Sequence, residues 1–190
     1  MKRWIARKLL SLFGWRIEGG APQQQQFVLI AAPHTSNWDF PLMLLFAASF
    51  NIKVYWMGKS SLFFPPVGWI MRFLGGVPIR RERANNVVGS MVQAFAENPH
   101  LVLVVPTEGK RARAEYWKSG FYHIARGAGV AIVPSYLDYG ARRGGFGPAL
   151  LVSGDVSSDM QYFRDFYAPM QGLFPERFGP VRLRDETTEP

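Results

Sequence analysis

His34 stands five residues before Asp39 in the run Pro33-His34-Thr35-Ser36-Asn37-Trp38-Asp39. An imidazole beside a carboxylate is suited to acid–base work. The carboxylate holds one ring nitrogen and fixes the tautomer, and the other nitrogen takes a proton from a hydroxyl. The same spacing also describes an aspartate capping a helix next to a loop histidine. A covalent route through Ser36, the nearest serine, is not favoured, because no Gly-x-Ser-x-Gly turn is present to expose it. Metal chemistry is weaker still. The histidines are His34, His100 and His123, with no His-Glu-x-x-His pattern, and the chain has no cysteine. No metal ligands and no bound cofactor are expected; an alcohol or water activated by His34 needs neither.

Two basic clusters accompany the pair. Arg80, Arg81 and Arg83 follow the Gly75-Gly76 turn, and Lys110, Arg111 and Arg113 follow Glu108-Gly109. A guanidinium is a natural bidentate partner for phosphate, and glycine beside it permits close backbone approach. Each cluster alone also reads as solvated surface charge. Two such loops at strand ends could close on one phosphate monoester.

The elements that must position these groups follow from the hydropathy pattern. Residues 27–32 are apolar, short and partly β-branched, which predicts a buried strand. Ser36 and Asp39 have capping-box spacing and Pro41 falls in a first helical turn, so a helix is expected to about Phe50. Further strands are expected at 52–57, 101–105, 130–133 and 149–152. Helices are expected at 85–97, 116–128 and 159–171, with a proline break and a short helix within 62–74. The alternation predicts an α/β fold, a single-domain layered structure with a mostly parallel central sheet flanked by helices. His34 and Glu108 both follow strand ends, where such folds gather their chemistry.

Residues 3–14 predict an amphipathic helix with Ile5, Leu9, Leu12 and Phe13 on one face, Trp4 at its edge, and Lys2, Arg3 and Arg7 more to the other side. Such a helix can pack on its own domain or lie in a membrane interface. The expected organisation is an N-terminal amphipathic segment (1–20), one catalytic domain (21–182) and a polar tail (183–190). Charges at Arg7 and Lys8 interrupt the first apolar stretch, which makes a poor signal peptide. No apolar run approaches the roughly 18 residues of a spanning helix.

Composition narrows the partners. The 190 residues carry a formal net charge of +8, with 15 Phe, 7 Tyr and 6 Trp. A basic, aromatic surface suits a lipid headgroup interface, and equally single-stranded nucleic acid. No zinc finger, RNA-recognition aromatic pair or helix-turn-helix spacing is present, so no nucleic acid is expected.

Four ordered blocks then carry a resemblance. They are His34 through Asp39; Gly76-Val77-Pro78-Ile79-Arg80-Arg81; Pro106-Thr107-Glu108-Gly109-Lys110-Arg111; and Val133-Pro134. In order and spacing the set resembles the glycerolipid acyltransferases, most nearly the 1-acyl-glycerol-3-phosphate acyltransferases. The third block departs from the family's usual Phe-Pro-Glu-Gly-Thr-Arg at three of six positions.

The resemblance implies a glycerolipid acyltransferase-like fold and an O-acyltransferase. Such an enzyme moves a fatty acyl group from a thioester donor, acyl coenzyme A or acyl carrier protein, to a hydroxyl of a lysophospholipid-like acceptor. His34 would be the base and Asp39 its orienter, and Arg81 would meet the acceptor phosphate. Glu108 and Gly109 would match the third block. Lys110 and Arg111 would add to acceptor binding, and Val133-Pro134 would lie toward the donor. A peripheral position on the cytoplasmic face of a membrane is implied. The alternatives are a non-catalytic lipid-binding module and an acyl thioesterase.

Overall fold

The computed structural model describes residues 2–79 and 84–187. Among the described residues, seven strands form one sheet: β1 (Arg16–Glu18), β2 (Phe27–Ala31), β3 (Tyr55–Lys59), β4 (Gly76–Ile79), β5 (Val102–Val105), β6 (Ala131–Asp138) and β7 (Arg143–Phe146). Their order is β1-β7-β6-β2-β5-β3-β4. Every pairing is parallel except that of β6 with β7. β2 takes the middle because Phe27-Val28-Leu29-Ile30 is apolar on both faces, as a strand covered on two sides must be. In register, Ile30 faces Val105 of β5 and Pro134 of β6.

Alternation along β2 divides the core. Val28 and Ile30 join a cluster with Phe95, Phe121, Ile124, Met160 and Phe163. These come from α4 (Ala84–Glu97), α5 (Gly120–Ala128) and α6 (Val156–Tyr167). Phe27 and Leu29 point the other way, toward Ala47 of α2 (Asp39–Ser49). Leu10 of α1 (Lys2–Leu12) extends that second layer with Trp15, Phe46 and Phe50. The remaining helix, α3 (Val67–Phe73), follows a short 3-10 turn at Ser60–Phe63. The structure is therefore the layered α/β fold expected, with one antiparallel pairing in a mostly parallel sheet.

Several elements differ from the expected ones. Residues 149–152 make only a single bridge, Leu150 to Ile132. The strand that belongs there is β7, whose Arg-Gly-Gly-Phe reads as a turn. Its glycines serve close approach: a Cβ on Gly144 would lie 2.6 Å from the Phe46 ring, and one on Gly145 would lie 2.4 Å from the Glu18 carbonyl. β3 starts three residues later than expected, and β6 runs on to Asp138. α6 begins early because Asp155 caps it, accepting a 3.1 Å bond from Ser158 N.

Both segment ends join the folded body. β1 lies within the segment assigned ahead of residue 21, and it pairs with β7. At the other end Leu183 is buried and bridges to Trp117, and Arg164 pairs with Glu186.

α1 packs on α2 with the face that carries Ala6 and Leu10. Trp4, Ile5, Leu9, Leu12 and Phe13 are left exposed. Ala6 and Leu10 are one helical turn apart, so a narrow small-and-large pair suffices for docking while the broader apolar stripe faces outward. Among the described residues, no helix is long and apolar enough to cross a membrane.

Candidate active site

β2 ends at Ala31, and His34 lies in the loop that leads to α2. Asp39 opens α2, where the half-formed capping box fixes its carboxylate. Its Oδ2 accepts 2.9 Å bonds from Thr35 N and Ser36 N. The same oxygen lies 3.2 Å from His34 Nδ1. The box is incomplete because Ser36 Oγ accepts from Trp38 N, 3.1 Å away. With Nδ1 facing the carboxylate, Nε2 is the nitrogen left to exchange a proton.

A residue without a signal in the sequence completes the arrangement. The Tyr139 hydroxyl donates a 2.7 Å bond to Asp39 Oδ1. Tyr139 follows directly on β6, one hundred positions along the chain from Asp39. Burial, and then its bond to the Asp39 carboxylate, hold the phenol well above its ordinary pKa, so it remains a donor. Asp39 thus accepts from two backbone amides and a phenol, with the imidazole beside it.

Glu108 arrives by topology. β5 is the parallel neighbour of β2, so their carboxyl ends lie side by side. Glu108 Oε2 accepts a 2.7 Å bond from His34 N. Glu108 is 2% exposed, and among the described residues its Oε1 has no hydrogen-bond partner. Burial raises the Glu108 pKa from 4.5 to about 7; the His34 N–H bond works against that rise, and the nearby Asp39 charge adds to it. The chain turns directly after it at Gly109, with φ of 68°. That left-handed backbone is open to glycine at little cost.

A cavity of about 740 Å³ opens in front of the pair. His34 and Asp39 lie on its wall with Gly109, Lys110 and Arg111, and Ser135 lies on it next to Val133-Pro134. Leu29, Met43, Phe46, Trp56, Val104 and Phe146 make the rest largely apolar.

The sequence candidates therefore separate. His34, Asp39, Gly109, Lys110 and Arg111 converge on the cavity, and Glu108 stands behind His34, on its backbone. Arg113 is turned elsewhere, donating 2.7 Å to the Phe178 carbonyl. Arg81, with Arg80 and Arg83, lies outside the described residues. Three amides of the His34 loop are already engaged, His34 N with Glu108 and Thr35 N and Ser36 N with Asp39. Among the described residues, no group of three His, Asp or Glu could hold a metal.

The family model described as "Acyltransferase" matches residues 16–138. A 1-acyl-sn-glycerol-3-phosphate acyltransferase of Haemophilus influenzae is 29% identical over 142 residues, covering 70% of this chain and 57% of that protein. The Streptococcus pneumoniae protein of the same name is 28% identical over 138 residues, covering 67% and 51%. The chain thus spans about half the length of the curated relatives it matches. The crystal structure of the 1-acyl-sn-glycerophosphate acyltransferase PlsC from Thermotoga maritima superposes with a TM-score of 0.57 at 19% identity. The match covers 78% of this chain and 66% of that one, and shows a shared fold.

Proposed function

The chain belongs to the acyltransferase family, and on that premise we propose that it transfers a fatty acyl group from a thioester to a hydroxyl of a lysophospholipid-like acceptor. The observation that carries this reading is the His34–Asp39 pair opening on an apolar cavity whose wall also bears Lys110 and Arg111. The apolar part has the chemistry to take an acyl chain, and the two cations have the chemistry to take a phosphate. The relatives' name, 1-acyl-sn-glycerol-3-phosphate acyltransferase, points to the same acceptor class.

In this reading the acceptor hydroxyl binds against His34 Nε2. The nitrogen takes the proton as the oxygen attacks the thioester carbonyl, and Asp39 stabilises the imidazolium that forms. The tetrahedral oxyanion collapses, the C–S bond breaks, and the thiolate leaves with the proton returned from His34. One ester and one thiol are formed, and nothing is oxidised or reduced. No covalent enzyme intermediate is required. Tyr139 acts through Asp39 and Glu108 through the His34 backbone, so both are positioning residues. Arg81 is proposed to join Lys110 and Arg111 on the acceptor phosphate. The donor is acyl coenzyme A or acyl carrier protein. The protein works from the cytoplasmic face of a membrane as a peripheral enzyme, with residues 1–20 as its contact segment.

The test is an acyl-transfer assay of purified protein. It crosses both donors with phosphorylated and unphosphorylated lyso acceptors, and includes His34→Ala. Acyl ester should form with the wild type, and the variant should lose about 10²- to 10⁴-fold in rate. Acyl release to water at the same rate with and without acceptor would make the protein a thioesterase. Retention of more than half the wild-type rate by the variant would remove His34 from the mechanism.

A further inference from the structure

The segment from the 3-10 turn through α3 exposes an unusual density of apolar surface. Leu62, Phe64, Val67, Trp69, Ile70 and Phe73 are all about half or more exposed, with Phe73 at 84% and Trp69 at 68%. The reason lies on the inner face. Gly68 is buried directly on the Phe63 backbone, where a Cβ would stand 2.0 Å from the Phe63 carbonyl oxygen. Arg72 Nη1 donates 3.1 Å to that same carbonyl and lies over the Phe63 ring. Phe63 in turn packs on Trp56 inside the fold. A glycine and an arginine thus dock the helix over Phe63, and Leu62, Phe64, Val67, Trp69, Ile70 and Phe73 are left exposed. Scattered single apolar residues on a surface need no explanation, but a contiguous group this large marks a contact surface.

The position of the ridge identifies what it contacts. Leu62 belongs both to the ridge and to the cavity lining, and its neighbours Lys59 and Ser61 line the cavity beside it, with Met71 from α3. The apolar ridge therefore runs continuously into the apolar cavity that holds His34. Lys110 and Arg111 share that cavity wall, Lys59 is exposed at its edge, and the whole chain carries a net charge of +8. An occupant that is apolar within, anionic at its surface and able to pass an acyl chain sideways into the cavity is a lipid bilayer. Exposed Trp and Phe beside Lys and Arg is the composition suited to that interface.

We propose that the 62–73 ridge docks on an anionic bilayer and sets the cavity mouth against it, as a contact separate from the α1 stripe. An acyl chain then moves between bilayer and cavity without crossing water. The inference rests on the acyl-transfer reading for the use of the cavity, whereas docking is measured without turnover. The experiment is co-sedimentation of the full chain with phosphatidylcholine vesicles containing phosphatidylglycerol. It compares the wild type, a Trp69→Ser, Phe73→Ser double variant, and a Trp4→Ser, Leu12→Ser variant of the α1 stripe. The ridge variant should melt with the wild type and bind on the order of tenfold more weakly, since each aromatic that leaves the interface forfeits apolar burial. Transfer to an acceptor embedded in vesicles should fall in parallel, while transfer to a dispersed short-chain acceptor stays at the wild-type rate. Where the double variant melts early, Phe73→Ser alone serves, with a smaller loss of binding in the same direction. Wild-type binding by a folded ridge variant overturns the proposal. So does unchanged binding with a shift from dimer to monomer in sedimentation, which would make a second copy of the chain the occupant. Vesicle binding by a wild type that transfers no acyl group to any acceptor would leave docking standing and remove the proposed activity.

Discussion

Replacing Asp39 by Asn tests the centre of the proposed mechanism with minimal change in shape. The amide oxygen can take the place of Oδ2 and still accept from Thr35 N and Ser36 N, which lie 2.9 Å away in the wild type. The amide nitrogen then takes the Oδ1 position, where the Tyr139 hydroxyl can turn from donor to acceptor. The loop should therefore hold its form. What is lost is the negative charge 3.2 Å from Nδ1. At that separation, with an effective permittivity of about 20, the charge stabilises an imidazolium by about 5 kcal/mol. About 1.4 kcal/mol corresponds to tenfold in rate, so kcat should fall by about 10³- to 10⁴-fold. The acceptor KM should move little, because Asp39 does not reach the acceptor itself. Steady-state release of free thiol measures kcat, and circular dichroism with a thermal melt verifies the fold. A folded variant that keeps a tenth or more of wild-type kcat would refute the account, since the charge next to the imidazole would then have no part in the chemistry.

Glu108→Gln addresses the buried carboxyl behind His34. Between pH 4.5 and about 7 the folded protein holds a proton that the unfolded chain has released, so the wild type loses stability as pH rises through that window. The displacement is worth about 3 kcal/mol, and it should be absent from Glu108→Gln, whose side-chain oxygen can still accept from His34 N. Urea unfolding at pH 5 and pH 8 should show the variant gaining on the wild type at the higher pH; parallel profiles would refute this. A Lys110→Ala, Arg111→Ala double variant should raise the apparent KM for a phosphorylated acceptor and leave that for an unphosphorylated one nearly unchanged. Superimposable saturation curves would remove both residues from phosphate binding. Leu10→Ala should cost about 2 to 5 kcal/mol because Leu10 is fully buried against α2 and Trp15. Leu12→Ser, at a 78% exposed position, should change the melting temperature little and reduce vesicle binding instead.

The local chemistry was legible in the chain itself. The strand–loop–helix around His34, the five-residue step to Asp39, and the turn after Glu108 are encoded within a few residues. The forces that build them, strand burial, capping and glycine's freedom at positive φ, act over that same range. The alternation of apolar strands with helices was enough for the α/β class. Resemblance across four ordered blocks pointed to the family.

Other features depended on residues far apart in sequence that meet only through the sheet. Tyr139 reaches Asp39 across one hundred positions, and Glu108 reaches the His34 amide across seventy-four. Neither pairing has a local period or spacing to betray it. β7 was hidden because its glycines exist for the approach of the Phe46 ring and the Glu18 backbone, and such residues otherwise signal a turn. Lys110 and Arg111 sit in one basic run with Arg113, yet the first two line the cavity and the third holds the Phe178 carbonyl. In α1 the amphipathic period was plain, but which side would be buried was not. A helix has several apolar directions, and only the shape of α2 beneath it selected Ala6 and Leu10 and left the wider stripe to face outward.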